Sequence, residues 1–235
     1  MMKVVILCGG LGSRLAEETK LIPKPMVKIG KKPIIDHVIN IYKHHGFKKF
    51  ILATGYKSKI IEKHYANKKN ISCVYTGKKT LTGGRLLRLK RFFGKNEDFL
   101  LTYSDGLTNH NLNKVVKFHK SHKKIATLTS VKPPARFGEL KMNGNRVKSF
   151  KEKPQLQNDW INGGFFVFNA KIFDYISGDD VMLEREPLQI LTRTKNLMAY
   201  KHYGFWQCMD TMRDKELLLR LMREKKAPWL KLKKK

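Results

Sequence analysis

Near its amino terminus the chain carries the run Val4-Val5-Ile6-Leu7-Cys8, followed directly by Gly9-Gly10-Leu11-Gly12-Ser13-Arg14-Leu15. Five consecutive apolar residues rich in β-branched side chains predict a strand that is buried on both faces. The three glycines predict a tight loop whose backbone amides can approach an anion closely. Ligands of open α/β sheets bind beyond the carboxyl ends of the strands, so this loop is a candidate phosphate site. A plain tight turn is the alternative.

Strand-like and helix-like segments alternate along the rest of the chain. Further strands are predicted at residues 50–53, 71–75, 98–103, 125–131, 165–168 and 197–202, and helices at residues 34–42, 60–65, 112–119, 187–191 and 211–223, with others near 83 and 172. This alternation predicts an α/β fold with a mainly parallel central sheet and helices on both faces.

The character of the sequence changes after Pro133-Pro134. The turn Asn143-Gly144-Asn145 lies between two short alternating segments and predicts a hairpin, so we expect a small inserted β-rich lobe at about residues 133–200. Residues 1–224, which include this lobe, read as one domain. We expect the lysine-rich tail at residues 225–235 to be mobile.

The composition limits the class of protein. The chain has 235 residues, of which 41% are hydrophobic, enough for a sizeable buried core. Its 49 Lys and Arg against 19 Asp and Glu give a formal charge of +30. Such a charge serves either as a solvated lysine surface or as a patch for nucleic acid or an anionic surface. The basic residues are spread from Lys3 to Lys235, which favours the solvated surface and no specific nucleic acid partner.

The three cysteines, Cys8, Cys73 and Cys208, are far apart and form no Cys-x-x-Cys pair. We therefore expect neither a disulfide framework nor a zinc site, and a reducing cytoplasmic location fits this usage. No apolar run approaches the roughly 20 residues that a membrane span needs.

The glycine loop departs from two common phosphate-binding motifs. The dinucleotide fingerprint needs a glycine where Leu15 stands, and a Walker A loop needs Gly-Lys-Ser/Thr, which is absent. Arg14 instead supplies a fork of donors suited to phosphate oxygens. Pro23 and Pro25 restrict the backbone on either side of Lys24, as a site that aims a single positive charge would require.

Two acidic residues follow apolar segments at predicted strand ends, Asp105 after residues 99–101 and Asp210 after residues 206–209. Magnesium prefers hard oxygen ligands and takes one or two carboxylates, with phosphate oxygens and water completing its shell. A helix N-cap is the alternative role, because a predicted helix begins at Thr211. The residues by themselves leave both roles open.

Further segments extend the pattern over nearly the whole chain. They are Glu17-Glu18-Thr19, Pro23-Lys24-Pro25-Met26, Thr80-Leu81-Thr82-Gly83-Gly84-Arg85, Tyr103-Ser104-Asp105-Gly106, Arg136-Phe137-Gly138, Glu152-Lys153-Pro154, Trp160-Ile161-Asn162-Gly163-Gly164-Phe165-Phe166, Glu184-Arg185-Glu186-Pro187-Leu188, Gly204-Phe205-Trp206 and Met209-Asp210-Thr211. With the glycine loop they resemble the sugar-1-phosphate nucleotidylyltransferases, and most of all the branch of glucose-1-phosphate cytidylyltransferases.

The resemblance implies a Rossmann-like three-layer nucleotidyltransferase fold, with CTP and glucose 1-phosphate as substrates. It also implies Mg²⁺-dependent in-line transfer, which depends on positioning and charge neutralisation. Matching positions imply that Arg14, Lys24, Asp105 and Asp210 are catalytic, with the two aspartates holding the metal. Nucleotide-binding positions are Leu7, Gly9, Gly10, Leu11, Gly12, Ser13, Arg14, Lys24, Thr80, Thr82, Gly83, Arg85 and Ser104. Sugar-phosphate positions are Gly138, Glu152, Lys153, Asn162 and Gly163.

Two departures from the family pattern bear on specificity. Ser104 stands where a glycine usually precedes the metal aspartate. Between Asn70 and Gly77 the chain is shorter than that branch by about two dozen residues, a change that loop entropy tolerates. Another base or another sugar phosphate therefore stays open, as does a homo-oligomer. A basic binding module is the alternative from another class of function.

Overall fold

The computed structural model describes residues 2–133, 139–151 and 160–232. The strands in this part of the chain are β1 (Lys3–Cys8), β2 (Lys28–Ile29), β3 (Lys32–Pro33), β4 (Lys49–Thr54), β5 (Ile71–Tyr75), β6 (Asp98–Tyr103), β7 (Gly106–Thr108), β8 (Ala126–Val131), β9 (Glu139–Asn143), β10 (Arg146–Lys151), β11 (Ile161–Asn169), β12 (Leu197–His202) and β13 (Trp206–Cys208). The α-helices are α1 (Ala16–Thr19), α2 (Ile34–His44), α3 (Ser58–Tyr65), α4 (Thr82–Leu87), α5 (Leu112–His122), α6 (Glu186–Arg193) and α7 (Met212–Arg223). Short 3-10 turns lie at Ser13–Leu15, Lys24–Met26, Lys90–Phe92, Ala170–Tyr175 and Pro228–Leu230.

A seven-stranded sheet forms the centre, in the order β12-β8-β11-β6-β1-β4-β5. Neighbouring strands pair in parallel except at β11, which is antiparallel to both β6 and β8. Four of the five residues of the predicted first strand are 0 or 1% exposed, and Leu7 is 7% exposed. Parallel strands buried on both faces need such continuous apolar runs, which is why this segment lies inside the sheet.

Helices cover both faces of the sheet, and the sheet divides the core into two clusters. Alternate residues of β1 point to opposite sides. Val4 and Ile6 join the cluster that includes side chains of α2, α3, α5 and α7. Val5 and Leu7 join the other cluster, which includes side chains of α4 and α6. The prediction of a mainly parallel sheet between two helical layers is therefore confirmed.

The predicted lobe at residues 133–200 is only partly separate from the main sheet. Hairpin β9–β10 forms a two-stranded sheet of its own, as the turn residues predict. However, β11 and β12 are strands of the central sheet, so the predicted boundary at residue 200 is wrong. The apolar run Phe165-Phe166-Val167-Phe168 is at most 1% exposed, and an interior strand provides cover on both faces.

The predicted tail at residues 225–235 begins too early. Ala227 and Trp229 are each 2% exposed, so the chain returns to the core after α7. The Trp229 ring stacks on Phe205 with centroids 5.5 Å apart, and its indole N–H donates to Nδ1 of His37 at 3.3 Å. Burying an indole is strongly favourable, and the neighbouring Lys225, Lys226 and Lys231 stay exposed to water, which explains the late end of the fold. No helix in the described ranges is both long and apolar enough to cross a membrane.

Candidate active site

The glycine loop, residues 9–12, connects β1 to the following 3-10 turn. Gly12 has a φ of +67°, in the left-handed region that favours glycine. A Cβ atom there would lie within 3.0 Å of the side chains of Thr19 and Lys24. A Cβ atom on Gly10 would meet nothing within 4 Å, and Gly10 lines a cleft. The loop is therefore packed tightly on one side and open to a ligand on the other.

Arg85 of α4 ties this loop to the neighbouring strand ends. Its Nη2 donates to the carbonyl of Gly9 at 2.9 Å, and its Nη1 donates to the carbonyl of Gly77 at 2.7 Å and to Oγ1 of Thr76 at 2.9 Å. The residue is 4% exposed, although it contributes to the cleft wall. Its guanidinium is thus occupied with acceptors of the protein itself. The sequence predicted a nucleotide contact here, and the structure adds a supporting role for the loop.

A two-stranded antiparallel ribbon brings the two predicted metal residues together. Asp105 immediately precedes β7, and Asp210 lies two residues beyond the end of β13. Cys208 of β13 pairs with Gly106 of β7, and the amide of Met209 donates to the carbonyl of Asp105 at 3.0 Å. The pairing therefore places both carboxylates at the same edge of the central sheet, although they are about a hundred residues apart in sequence.

Lys24 lies between these two carboxylates. Its Nζ donates to Oδ2 of Asp105 and, at 2.7 Å, to Oδ1 of Asp210. Side-chain exposure is 14% for the lysine and 16% for each aspartate. Burial opposes the charge on the ammonium, but the two carboxylates outweigh it and raise the pKa of Lys24. Nη2 of Arg14, on a side chain 72% exposed, is 3.0 Å from the same Oδ1 of Asp210.

The pair of carboxylates fits a divalent hard metal ion. Together they already enclose one cation, the Lys24 ammonium, and burial of Asp210 is outweighed by its contacts with Lys24, which lower the pKa of that carboxyl. No group of three or more His, Cys, Asp or Glu side chains in the described ranges forms a metal cluster. Magnesium accepts one or two carboxylates and fills its remaining positions with phosphate oxygens and water.

The N-cap alternative for these aspartates is wrong. Thr211 caps α7, and its side chain accepts from the amide of Asp214 in a reciprocal capping box. Asp210 precedes the cap, and Asp105 is followed by a strand rather than a helix. Both carboxylates are therefore free of a capping role.

The predicted sugar positions at the start of β11 face the same space. Asn162 Oδ1 accepts from the amide of Gly164 at 2.8 Å, and Gly164 has a φ of +75°. The indole N–H of Trp206 donates to the carbonyl of Gly163 at 2.7 Å. A Cβ atom on Gly164 would come within 2.5 Å of the ring of Tyr103. This bend in the strand depends on glycine, and it brings Asn162 into the cleft wall.

Together these elements surround one cleft of about 500 Å³. Predicted site residues that line it are Leu7, Gly9, Gly10, Gly12, Ser13, Arg14, Lys24, Thr80, Thr82, Arg85, Ser104, Asp105, Asn162, Gly163 and Asp210. Leu11 is 55% exposed and is not among the lining residues, and Gly83 packs against the backbone of Val181 instead. The predicted sugar-phosphate residues Gly138, Glu152 and Lys153 lie outside the described residues.

Ten further lining residues were assigned no site role from the sequence, among them Tyr103, Trp206, Cys208 and Met182. Tyr103 and Trp206 stand inside segments that carried the resemblance, so their position in those motifs was a usable signal. Cys208 lies two residues before Asp210, and its thiol is 3.5 Å from that carboxylate. Met182 lies in a segment without any matching motif, and nothing in the sequence indicates its place in the cleft.

Comparison with known proteins agrees with this geometry. Residues 3–210 match the sequence model of the family described as nucleotidyl transferase. The chain belongs to this nucleotidyl transferase family. The prediction of a sugar-1-phosphate nucleotidylyltransferase is therefore confirmed at the level of the family, and the family generally uses a divalent metal ion.

Among its relatives in the nucleotidyl transferase family, the chain is 44% identical to glucose-1-phosphate cytidylyltransferase of Salmonella typhimurium, over 97% of this chain and 98% of that protein. It is 30% identical to the catalytic subunit beta of mannose-1-phosphate guanylyltransferase of Xenopus tropicalis, over 97% of this chain and 68% of that protein. The first alignment spans 253 residues, more than the 235 of this chain, so the chain lacks positions that the Salmonella protein has.

The solved structure of HddC from Yersinia pseudotuberculosis has a similar fold. Its TM-score is 0.74, with 23% identity over 94% of this chain and 100% of that chain. This likeness supports the nucleotidyltransferase architecture that the sequence predicts.

Proposed function

We propose that this protein is a glucose-1-phosphate cytidylyltransferase, which converts CTP and glucose 1-phosphate into CDP-glucose and pyrophosphate. The observation that carries the proposal is that one cleft holds the glycine loop, the Lys24-bridged aspartate pair and the Asn162 corner. The branch within the family is supported by the identity to the Salmonella typhimurium cytidylyltransferase over nearly the full length of both chains.

The glycine loop would hold the triphosphate of the nucleotide. Open space beside Gly10 allows phosphate oxygens to approach the backbone amides. The Arg14 side chain is largely exposed and lines the same cleft, so its guanidinium can donate two hydrogen bonds to one phosphate. Its present contact with Asp210 is at the edge of the cleft and is weak enough to exchange for a phosphate.

Asp105 and Asp210 would hold Mg²⁺. When bound, this ion neutralises charge on the triphosphate and on the departing pyrophosphate. The two carboxylates share the Lys24 ammonium in the structure, so we expect the lysine to leave them when the metal and nucleotide enter. Lys24 then carries its charge to the reacting phosphates, as catalysis by charge neutralisation requires. Pro23 and Pro25 limit how far its backbone can move.

Transfer needs no nucleophile from the protein. The attacking phosphate oxygen of glucose 1-phosphate is already ionised at neutral pH, so positioning and charge neutralisation are the main contributions. Cys208 lines the cleft beside Asp210. Burial and the nearby Asp210 raise its pKa to about 12, which keeps the thiol protonated and unreactive. Direct in-line attack is therefore the mechanism that the geometry favours.

The sugar phosphate would lie against the Asn162 corner. The Asn162 side-chain oxygen is held by Gly164, which leaves amide protons to orient hydroxyl groups of the sugar. Glu152 and Lys153 are proposed partners by resemblance only. We expect Lys153→Ala to raise KM for glucose 1-phosphate much more than KM for CTP, because its charge should meet the phosphate of the sugar.

The decisive experiment measures pyrophosphate release. The purified chain is incubated with Mg²⁺, with CTP, UTP, dTTP or GTP, and with glucose 1-phosphate or mannose 1-phosphate. We expect the highest kcat/KM for CTP with glucose 1-phosphate. A higher value for another pair would transfer the proposal to that base and sugar, which Ser104 and the chain shortening leave open. Release with none of the pairs, combined with tight salt-sensitive binding of duplex DNA, would favour a basic binding module.

A further inference from the structure

Glu184 connects two residues of the cleft wall, although it is not a lining residue itself. It lies in the segment Glu184-Arg185-Glu186-Pro187-Leu188, to which the proposed reaction assigns no role. Its Oε2 accepts from the hydroxyl of Thr82 at 2.6 Å, and its Oε1 accepts from the hydroxyl of Tyr103. Among the described residues, no ion pair neutralises this carboxylate. Its two oxygens therefore accept hydroxyl protons from two residues of the cleft wall.

The hydrogen bonds of the Thr82 hydroxyl leave one of its lone pairs unused. A threonine hydroxyl has one proton and two lone pairs. Its proton goes to Glu184, and one lone pair accepts the amide of Leu183 at 2.9 Å. The remaining lone pair can only accept. Because Thr82 lines the cleft, it presents an acceptor to any ligand group that reaches it.

Tyr103 is held in the same way. Its burial, and then the carboxylate of Glu184, raise the pKa of the phenol, so its proton stays in place and points at that carboxylate. One chain of hydrogen bonds thus joins Thr82, Glu184 and Tyr103, and the carboxylate at its centre strengthens each hydroxyl as an acceptor.

We propose that Glu184 is a positioning residue that sets base selection through Thr82. By taking the hydroxyl proton, it leaves Thr82 as an acceptor for the exocyclic amino group of cytosine. Uracil and thymine carry a carbonyl oxygen at that position, and two facing acceptors repel each other. A site built to hydrogen-bond a ligand group rejects an analogue that lacks this group much more strongly than an apolar pocket would. This inference rests on the proposed cytidylyl transfer and adds the group that reads the base.

The test compares Thr82→Val and Glu184→Gln with the wild type. Valine removes the acceptor but keeps the shape of threonine. A glutamine side chain offers one acceptor oxygen and one donor NH2 group, whereas glutamate offers two acceptor oxygens. One of the two hydroxyl groups must therefore turn its proton away from residue 184 and towards the cleft. Glu186→Gln is the matched control, because Glu186 is an exposed acid of the same segment. Thr82→Ser is the conservative rescue, since it keeps the hydroxyl.

For each protein, kcat and KM are measured with CTP and with UTP, together with KM for glucose 1-phosphate. We expect Thr82→Val and Glu184→Gln to lower the ratio of kcat/KM for CTP over UTP by about tenfold, the value of one ligand hydrogen bond. The change should lie in KM for the nucleotide. Glu186→Gln and Thr82→Ser should keep the wild-type ratio.

An equal loss for both nucleotides in Thr82→Val and Glu184→Gln would overturn the inference, since a merely structural role lowers both. Failure of the proposed function has a different signature, because the wild type would then release no pyrophosphate from CTP and glucose 1-phosphate. Equilibrium binding of CTP and UTP by calorimetry keeps the inference testable in that case. A wild type that bound UTP as tightly as CTP, or a ratio of affinities unchanged in Glu184→Gln, would overturn it.

Discussion

Replacing Lys24 by methionine separates its contact with the aspartates as a counter-ion from its proposed role as a catalytic cation. Methionine keeps the length and apolar character of the lysine stem but removes the charge. Asp105 and Asp210 then face each other without the ammonium that both of them contact. The prediction is that the variant is destabilised in the absence of Mg²⁺ and that Mg²⁺ restores much of its stability.

The size of the effect follows from the burial of the group. Removing one partner of a buried ion pair costs about 3–5 kcal/mol. Because the side chains keep 14–16% exposure and Arg14 still contacts Asp210, we expect the lower end, about 3 kcal/mol. For a chain of this length, each kcal/mol changes the melting temperature by about 2–4 °C, so the loss is about 6–12 °C. Magnesium at about 100 times its Kd would restore roughly 2.7 kcal/mol.

The assay is thermal and urea denaturation of the wild type and Lys24→Met, each in EDTA and in millimolar MgCl2. Lys28→Met is the matched control, because Lys28 is an exposed lysine close in sequence. In EDTA, Lys24→Met should melt well below both other proteins, and Mg²⁺ should raise its melting temperature far more than theirs. Equal melting of all three in EDTA, or the same response to Mg²⁺, would refute the view that Lys24 occupies the place of the metal.

Three other predictions follow from the same structure. Asp105→Ala and Asp210→Ala should each remove most pyrophosphate release, and the double variant should be little worse, because residues acting as a unit are not additive; near-normal kcat in either single variant at saturating Mg²⁺ would contradict the metal assignment. Trp229→Ala should lower the free energy of unfolding by about 3–5 kcal/mol in urea titrations, and a change below about 1 kcal/mol would show that the segment after α7 is dispensable. Burial lowers the pKa of His110 well below its usual value, so the fold should lose stability as the pH falls below the unfolded-state pKa of about 6.5. Urea unfolding between pH 7.5 and 5.5 should show a flatter pH dependence for His110→Gln, and an unchanged slope would refute the role of His110.

Much of the architecture could be predicted from local patterns. Strands β5, β6 and β12 coincide with the predicted ranges, and the remaining strands of the central sheet fall within a few residues of theirs. This success has a physical cause: a segment that must bury both faces needs a continuous apolar run, and a run of five or six residues is visible in the sequence. The motifs likewise identified most residues of the cleft, because close backbone approach requires glycine and the proposed charge neutralisation would require Lys24 and the aspartates.

Only the tertiary structure decided how distant segments meet. Local periodicity contains no information about which strand is inserted antiparallel between β6 and β8, or that Trp229 returns to the core. The contact of Glu184 with Thr82 joins residues 102 positions apart, and neither residue type at its own position predicts the other. Their meeting depends on the packing of α4 and the segment before α6 against one sheet. Sequence spacing therefore determined which chemical groups are available, and long-range packing determined which of them share a hydrogen bond.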